Sequence, residues 1–133
     1  MLLALMPTNK SLIKMNQFEI PTIIEKELPD ICEELQKTSV FGDAIKSMQI
    51  LANYSKSLLT THDLSKLLKC MRLIGKIYDR GNSSVKNAIE SVYVFSFSAM
   101  QAACNKIEWN VIRAKMPITL YTLYMRQLYS KGI

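Results

Sequence analysis

The stretch NAIESVYVFSFSAMQAAC, from Asn87 to Cys104, decides the fold class. Its middle part, from Val92 to Ser98, is rich in β-branched and aromatic residues and nearly alternates in polarity, as a strand does. A lone strand leaves its backbone amides and carbonyls without partners, and no other segment of the sequence reads as a strand to pair with it. As a helix, the stretch is apolar on nearly all sides, which predicts a central, buried helix.

The composition favours one helical domain. The chain has 133 residues, 49% of them apolar, with only four glycines and four prolines. This length is typical of a single domain with its own core, and the scarcity of turn residues argues against an all-β fold. We therefore predict an all-α fold, a compact bundle of five to seven helices, with residues 16–133 as a single domain. Residues 1–15 are expected to form a poorly ordered N-terminal extension, because Met15 is a second candidate start.

Apolar residues at helical spacing, and turn residues between them, mark the individual helices. In chain order they are Ile20 to Leu28, a helix beginning at Pro29, one from Phe41, one after Thr60, one capped by Ser83 or Ser84, the segment IEWNVIRAK, and a last helix opened by Pro117. Ile45 is placed on the buried face of its helix. The pattern Thr60-x-x-Asp63 is expected to cap the helix that follows it, and Gly81 to end that helix in the left-handed conformation.

The charges are distributed unevenly along the chain. Residues 1–40 carry four lysines and six acidic residues, a net charge of −2, and the rest carries thirteen basic and five acidic residues, a net charge of +8. In one helix basic residues recur every three or four positions, so at about 100° per residue they share one side. We name these residues the basic strip: Lys66, Lys69, Arg72, Lys76 and Arg80.

The basic strip has three interpretations. It is either an ordinary solvated face or a docking surface for an acidic partner protein, whose attraction weakens with salt. Nucleic acid is a weaker candidate, because no aromatic residues interleave with the strip and no nucleic-acid-binding motif accompanies it.

Aromatic residues cluster toward the C-terminus, at Trp109, Tyr121, Tyr124 and Tyr129. Aromatic residues at helical spacing are typical of a core, but a tyrosine that stays exposed is a good interface anchor, because it combines apolar area with a polar tip. We take Tyr121 and Tyr124, together with the basic strip, as candidate partner-binding residues.

The sequence predicts no catalytic residue, cofactor site or metal ligand. His62 is the sole histidine, and the cysteines Cys32, Cys70 and Cys104 lie far apart, so a zinc site lacks ligands. The dipeptide His62-Asp63 resembles that of metal-dependent phosphohydrolases, but those enzymes need further histidines, and a helix start explains it better. There is no glycine-rich phosphate loop. The cysteines are interpreted as core thiols, which fits a reducing cytoplasm.

Membrane insertion is not expected. The longest uncharged run, Ser91 to Asn105, has 15 residues, and it is too short and too rich in serine to cross a bilayer. The N-terminal segment MLLALMPTNK lacks the basic region of a signal peptide. We expect a cytoplasmic protein, and the sequence leaves its oligomeric state open.

The order of landmarks resembles a known group of proteins. The landmarks are Leu28-Pro29-Asp30, Phe41-Gly42-Asp43, LSKLLKCMRLIGKIYDRG, SSVKNAIESVYVFSFS and the helix from Met116 to Leu128. Over about residues 28–128 the chain is similar to a family of small, uncharacterised, all-helical bacterial proteins. The resemblance implies a helical fold and, by analogy, an immunity or accessory protein encoded beside a toxin. It carries over no functional residue.

These observations lead to one hypothesis and two alternatives. The hypothesis is a non-enzymatic helical bundle that binds another protein and sequesters or occludes it, as an immunity-type or accessory protein does. One alternative is a nucleic-acid-binding regulator that uses the basic strip. The other is a small-molecule-binding domain with a pocket between the long helices, near Met48, Met71 and Met100.

Overall fold

The computed structural model describes residues 16–31, 33–35 and 43–130. Within these ranges the chain forms α-helices, shorter helical turns and no strand, so the predicted all-α bundle of five to seven helices is confirmed. The α-helices are α1 (Ile20–Glu27), α2 (Ala44–Thr60), α3 (Leu64–Arg80), α4 (Ser83–Ala88), α5 (Phe97–Ala103), α6 (Lys106–Lys115) and α7 (Ile118–Ser130). At Pro29 the chain makes a 3₁₀ turn, Pro29–Ile31, and residues 33–35 are helical again. The prediction for residues 1–15 lies outside the described ranges, as does that for Phe41.

The opening stretch is helical and central, as predicted, but its helix is irregular. After α4 the chain makes a π-helical turn, Ile89–Tyr93, and a 3₁₀ turn, Val94–Ser96, before α5 begins. The π-helical turn packs closely against α2, and Tyr93 and Phe97 are fully buried. Burial on nearly all sides is wrong at Phe95, which is 59% exposed. The strand-like composition of the stretch therefore reflects a buried position in the bundle and not β-structure.

Four of the helices begin at an aspartate or asparagine. In each, the side-chain oxygen accepts a hydrogen bond from a backbone N–H three residues further on, at 2.8–3.1 Å. These capping residues are Asp43 for α2, Asp63 for α3, Asn82 for α4 and Asn105 for α6. The predicted caps at Thr60 and at Ser83 or Ser84 are wrong. Thr60 still belongs to α2, where its hydroxyl donates to the carbonyl of Lys56.

The turns around α3 also differ from the prediction. Gly81 is extended, with φ −73° and ψ 154°, and not left-handed. The glycine is needed for space, because a Cβ there would lie 2.8 Å from a methyl carbon of Val85. Among the described non-glycine residues, His62 between α2 and α3 adopts a positive φ, 59°. The end of α3 at Gly81 is therefore predicted correctly, but the left-handed conformation occurs at His62, in the turn before α3 and not in the turn after it.

The core is built by apolar stripes on α1, α2, α3 and α7 around the central stretch. In α2 the fully buried residues include Met48 and Leu51, and in α3 they include Leu67 and Ile74. Ile45 was predicted to be buried in α2 but is exposed, because it lies about 100° around the helix from Ala44, at the edge of the stripe. Packing of these stripes leaves one face of α3 and the outer faces of α6 and α7 toward solvent.

Candidate functional site

The basic strip lies on the solvent face of α3. Lys69, Arg72, Lys76 and Arg80 are exposed on one side of the helix, whereas Lys66 is half-buried at its edge. The opposite side is buried against the core, which fixes the rotation of α3 about its axis. The predicted one-sided placement therefore holds for four of the five residues.

Acidic residues from the N-terminal part of the chain reach the first turns of the strip. The Lys66 ammonium lies 3.0 Å from Oδ2 of Asp30, which also accepts a hydrogen bond from the Tyr54 hydroxyl at 3.3 Å. The hydrogen bond and charge of Lys66 lower the pKa of Asp30, and those of Asp30 raise the pKa of Lys66. Lys69 is 3.9 Å from Glu27 at the end of α1. One end of the strip is thus partly neutralised within the molecule.

The other end of the strip keeps its charge. Arg72, Lys76 and Arg80 form no salt bridge with any residue in the described ranges. Arg72 and Lys76 lie in the middle turns of α3, and Arg80 lies in the last turn, where a cation also complements the helix dipole. The uncompensated part of the basic strip is therefore these three residues.

The two candidate tyrosines have different surroundings. Tyr124 is only 5% exposed, and its ring packs edge-on against Phe97 and Trp109, with ring centres 5.5 and 6.1 Å apart. Its hydroxyl donates to Oε1 of Gln101 at 3.1 Å. Tyr124 is thus a core residue and not a surface anchor, because its position on α7 faces the rings of Phe97 and Trp109. Tyr121 is half-buried on the outer side of α7 and remains a candidate.

Two hollows lie on either side of α6, and sequence reasoning did not find them. One, between α6 and α7, has a volume of about 370 Å³ and is lined by Asn110, Arg113, Ala114, Met116, Ile118 and Tyr121. We name it the α6–α7 hollow. The other, between α5 and α6, has a volume of about 450 Å³ and is lined by Gln101, Cys104, Lys106, Trp109, Asn110 and Arg113. Arg113 stands between the two hollows.

The three methionines near which a small-molecule pocket was predicted lie in the core. Met48, Met71 and Met100 are fully buried in the core. None of them lines either of the hollows beside α6. In this part of the structure methionine fills the space between helices, as a flexible apolar side chain does.

His62 contacts an acidic residue of a distant helix. Its Nδ1 lies 2.6 Å from Oε2 of Glu108, whose carboxylate also accepts the backbone N–H of Asn105 at the start of α6. The hydrogen bond from His62 lowers the pKa of Glu108. His62 therefore ties the α2–α3 turn to α6, and no group of three or more His, Cys, Asp or Glu side chains able to hold a metal ion exists among the described residues.

The two cysteines within the described ranges are free thiols. Cys70 is fully buried beside Ser55 and Tyr93, and burial raises its pKa to about 11. It is therefore protonated at neutral pH, whereas a nucleophilic cysteine needs its thiolate. Cys104 is half-buried, and burial raises its pKa too. Cys32 lies outside the described residues.

No helix in the described part of the chain combines the length and the apolar character needed to cross a bilayer.

Comparison with known proteins yields one match. No curated protein and no solved structure matches the chain significantly. The family model that does match is described as a domain of unknown function (DUF7674), and it covers residues 21–130, from the first turn of α1 to the end of α7. The match spans the helices described above, including the basic strip and both hollows. The chain therefore belongs to the DUF7674 family.

Proposed function

We propose that this protein is a non-enzymatic binding module whose α3 face docks on an acidic surface of another protein and so sequesters or occludes it. The observation that carries the proposal is the uncompensated part of the basic strip: Arg72, Lys76 and Arg80 are exposed on one face without a salt bridge in the described ranges.

The exposed row of positive charges on α3 supports a role in association with another protein. Like charges repel each other, so apart from the contribution of Arg80 to the helix end, an exposed row of cations does not stabilise the fold. Such a row does raise the local concentration of an oppositely charged partner and speeds its encounter, in a manner that salt weakens. The net charge of +6 adds a long-range attraction of the same sign.

The setting we propose is the bacterial cytoplasm, with the protein acting as an immunity-type or accessory protein. The free thiols Cys70 and Cys104 fit a reducing compartment. The resemblance to helical bacterial proteins of this kind supports the same class, by analogy alone.

The first experiment captures the partner. The tagged full-length protein is incubated with lysate of its source organism at low and at high salt, and the retained proteins are identified by mass spectrometry. We expect one stoichiometric acidic partner that is lost at high salt. Retention of nucleic acid in its place, confirmed by a gel shift at low salt, would favour the regulator alternative and contradict the proposal.

Charge reversal then tests the strip itself. In the double variant Arg72→Glu/Lys76→Glu we expect association with the captured partner to slow by about tenfold or more, because electrostatic steering is reversed. The measurement is the association rate constant in a surface-binding assay, with a thermal melt to show that folding is unchanged.

A matched control separates the strip from overall charge. Lys46 and Lys56 lie on α2, outside the basic strip. The variant Lys46→Glu/Lys56→Glu changes the net charge equally and is expected to slow association much less. Equal slowing by both variants, or no slowing by either, would show that the strip is not the docking surface.

A further inference from the structure

The α6–α7 hollow presents apolar surface toward solvent. Ile118 is 74% exposed at the start of α7, and Ala114 and the half-buried Tyr121 line the same hollow. A large aliphatic side chain gains nothing for the fold in such a position, because its apolar area stays in water. The hollow therefore offers apolar area that becomes buried only when something else covers it.

The start of α7, which forms one edge of the hollow, rests on α3. A Cβ placed on Gly75 would lie 3.0 Å from the ring of Pro117, so the chain entering α7 rests directly on the backbone of α3. One residue beyond Ile118, the hydroxyl of Thr119 donates to Asp79 of α3 at 3.4 Å. Arg72 and Asp79 lie one turn before and one turn after Gly75 on α3, so one exposed cation and one acid lie beside the start of α7.

The charge nearest this apolar surface is positive. Arg113 lines the hollow itself from α6, and Arg72 lies one turn from Gly75, on which the start of α7 rests. None of the six residues that line the hollow is acidic. An apolar centre with a charged edge is the usual composition of a protein-binding surface.

We infer that the α6–α7 hollow receives a large apolar side chain from an acidic segment of the partner protein, while the neighbouring acids of that segment contact Arg113 and the basic strip. The inference rests on the proposed function, and it adds the position of the apolar anchor. A protein segment fits better than a nucleic acid, because single-stranded bases need exposed rings for stacking. Tyr121 is the one aromatic residue that lines the hollow and it is half-buried, so the hollow lacks the series of exposed rings on which successive bases stack.

Two synthetic peptides test the inference. Both are short, fluorescein-labelled and acidic, with glutamates on most positions. The Leu peptide carries leucines along one helical face, and the Ser peptide carries serines in their place. Fluorescence polarisation with the full-length protein at low salt is expected to show about tenfold tighter binding of the Leu peptide.

Variants of two exposed isoleucines locate the contact. Ile118→Ser is expected to remove most of the preference for the Leu peptide and to leave binding of the Ser peptide unchanged. Ile107→Ser is the matched control, because Ile107 is 77% exposed on α6 but lines neither hollow. As a second variant, Ala114→Glu places a negative charge in the hollow and should weaken both peptides, whereas Ala114→Gln should not.

The outcomes separate the two proposals. Equal affinity of the two peptides, or equal effects of Ile118→Ser and Ile107→Ser, would overturn the docking of an apolar anchor in the hollow and leave the strip in place. Failure of both peptides to bind at low salt would overturn the hollow together with the proposed function. Tighter binding of a single-stranded oligothymidine than of either peptide would overturn docking of a protein segment.

Discussion

At the scale of single residues, the most constrained group is a small polar network inside the core. The hydroxyls of Tyr93 and Ser55 are 2.8 Å apart, and the thiol of Cys70 lies 3.7 Å from Ser55 and 4.0 Å from Tyr93. Tyr93 and Ser55 are fully buried, so neither hydroxyl has access to water as a substitute partner. Because burying a hydroxyl without a partner is costly, each of these residues holds the other in place.

Removing both partners should therefore cost less than the sum of the two single removals. Tyr93→Phe leaves the Ser55 hydroxyl with only a weak sulfur partner, and we expect it to lower the free energy of unfolding by about 1–2 kcal/mol. Adding Ser55→Ala to that variant should cost less than the sum of the two single changes. Urea unfolding measures this, with Tyr129→Phe as the control, since Tyr129 is 70% exposed. Additive losses would show that the two hydroxyls do not depend on each other.

At the scale of secondary-structure elements, the irregular helix from α4 to α5 needs side chains to complete its backbone hydrogen bonds. The side-chain amide of Gln127 in α7 donates to the carbonyl of Glu90 at 2.6 Å, inside the π-helical turn. Ser91 and Ser96 donate to the carbonyls of Asn87 and Tyr93, also at 2.6 Å. The serines that interrupt the apolar pattern thus supply partners for carbonyls of a helix that changes its pitch.

Gln127 is the part of this arrangement that joins two elements. In Gln127→Leu the carbonyl of Glu90 loses its partner from α7, and we expect a loss of about 1 kcal/mol in the free energy of unfolding. Amide hydrogen exchange should rise mainly in residues 89–97, because the π-helical turn loses its contact with α7. Gln49→Leu on the exposed side of α2 is the control. A uniform rise in exchange, or none, would show that Gln127 does not hold the turn.

The local sequence predicted the positions of the helices better than it predicted their capping residues. Each helix was predicted close to its place, because apolar spacing is a property of neighbouring residues. The caps were missed where a threonine or serine stood near an aspartate or asparagine, at Thr60 and at Ser83. Asp63 and Asn82 took the role instead, in line with the higher preference of aspartate and asparagine for the N-cap.

At the scale of the whole molecule, features within one helix could be predicted, whereas contacts between residues far apart in the sequence could not. The basic strip follows from spacing within one helix, and four of its five residues are exposed as predicted. The pairing of Lys66 with Asp30, 36 residues earlier, depends on where the turn Pro29–Ile31 lies relative to α3 and has no local signal. The α6–α7 hollow likewise exists only once both helices are placed. Exposure of Ile118 was not predicted, because an isoleucine in an apolar helix reads as core.

The buried titratable groups make the molecule more sensitive to alkali than to acid. Asp30 and Glu108 have pKa values lowered by Lys66 and His62, so their pairs stabilise the fold at neutral pH, and this is lost as the pH falls through those lowered values. The side chains of Asp30 and Lys66 are partly exposed, and in the other pair the His62 side chain is 68% exposed although Glu108 is not, so solvent screens both pairs and the loss is small. The buried network has the opposite sign: burial raises the pKa of Cys70 from 9.0 to about 11 and that of Tyr93 well above 10.0.

The unfolded chain therefore loses protons from about pH 9 upward while the folded chain keeps them, and the free energy of unfolding falls over this range. Two pKa units correspond to about 3 kcal/mol as an upper bound for Cys70. Urea unfolding with reductant at pH 8 and pH 10.5 should show a distinctly smaller alkaline loss in Cys70→Ala than in the wild type. For each protein the loss is the difference between its free energies of unfolding at the two pH values. The destabilisation caused by the cavity in Cys70→Ala is the same at both, so it cancels. Cys104→Ala, at a half-buried thiol, should retain most of the loss, and an unchanged loss in Cys70→Ala would show that the buried thiol does not set the alkaline limit.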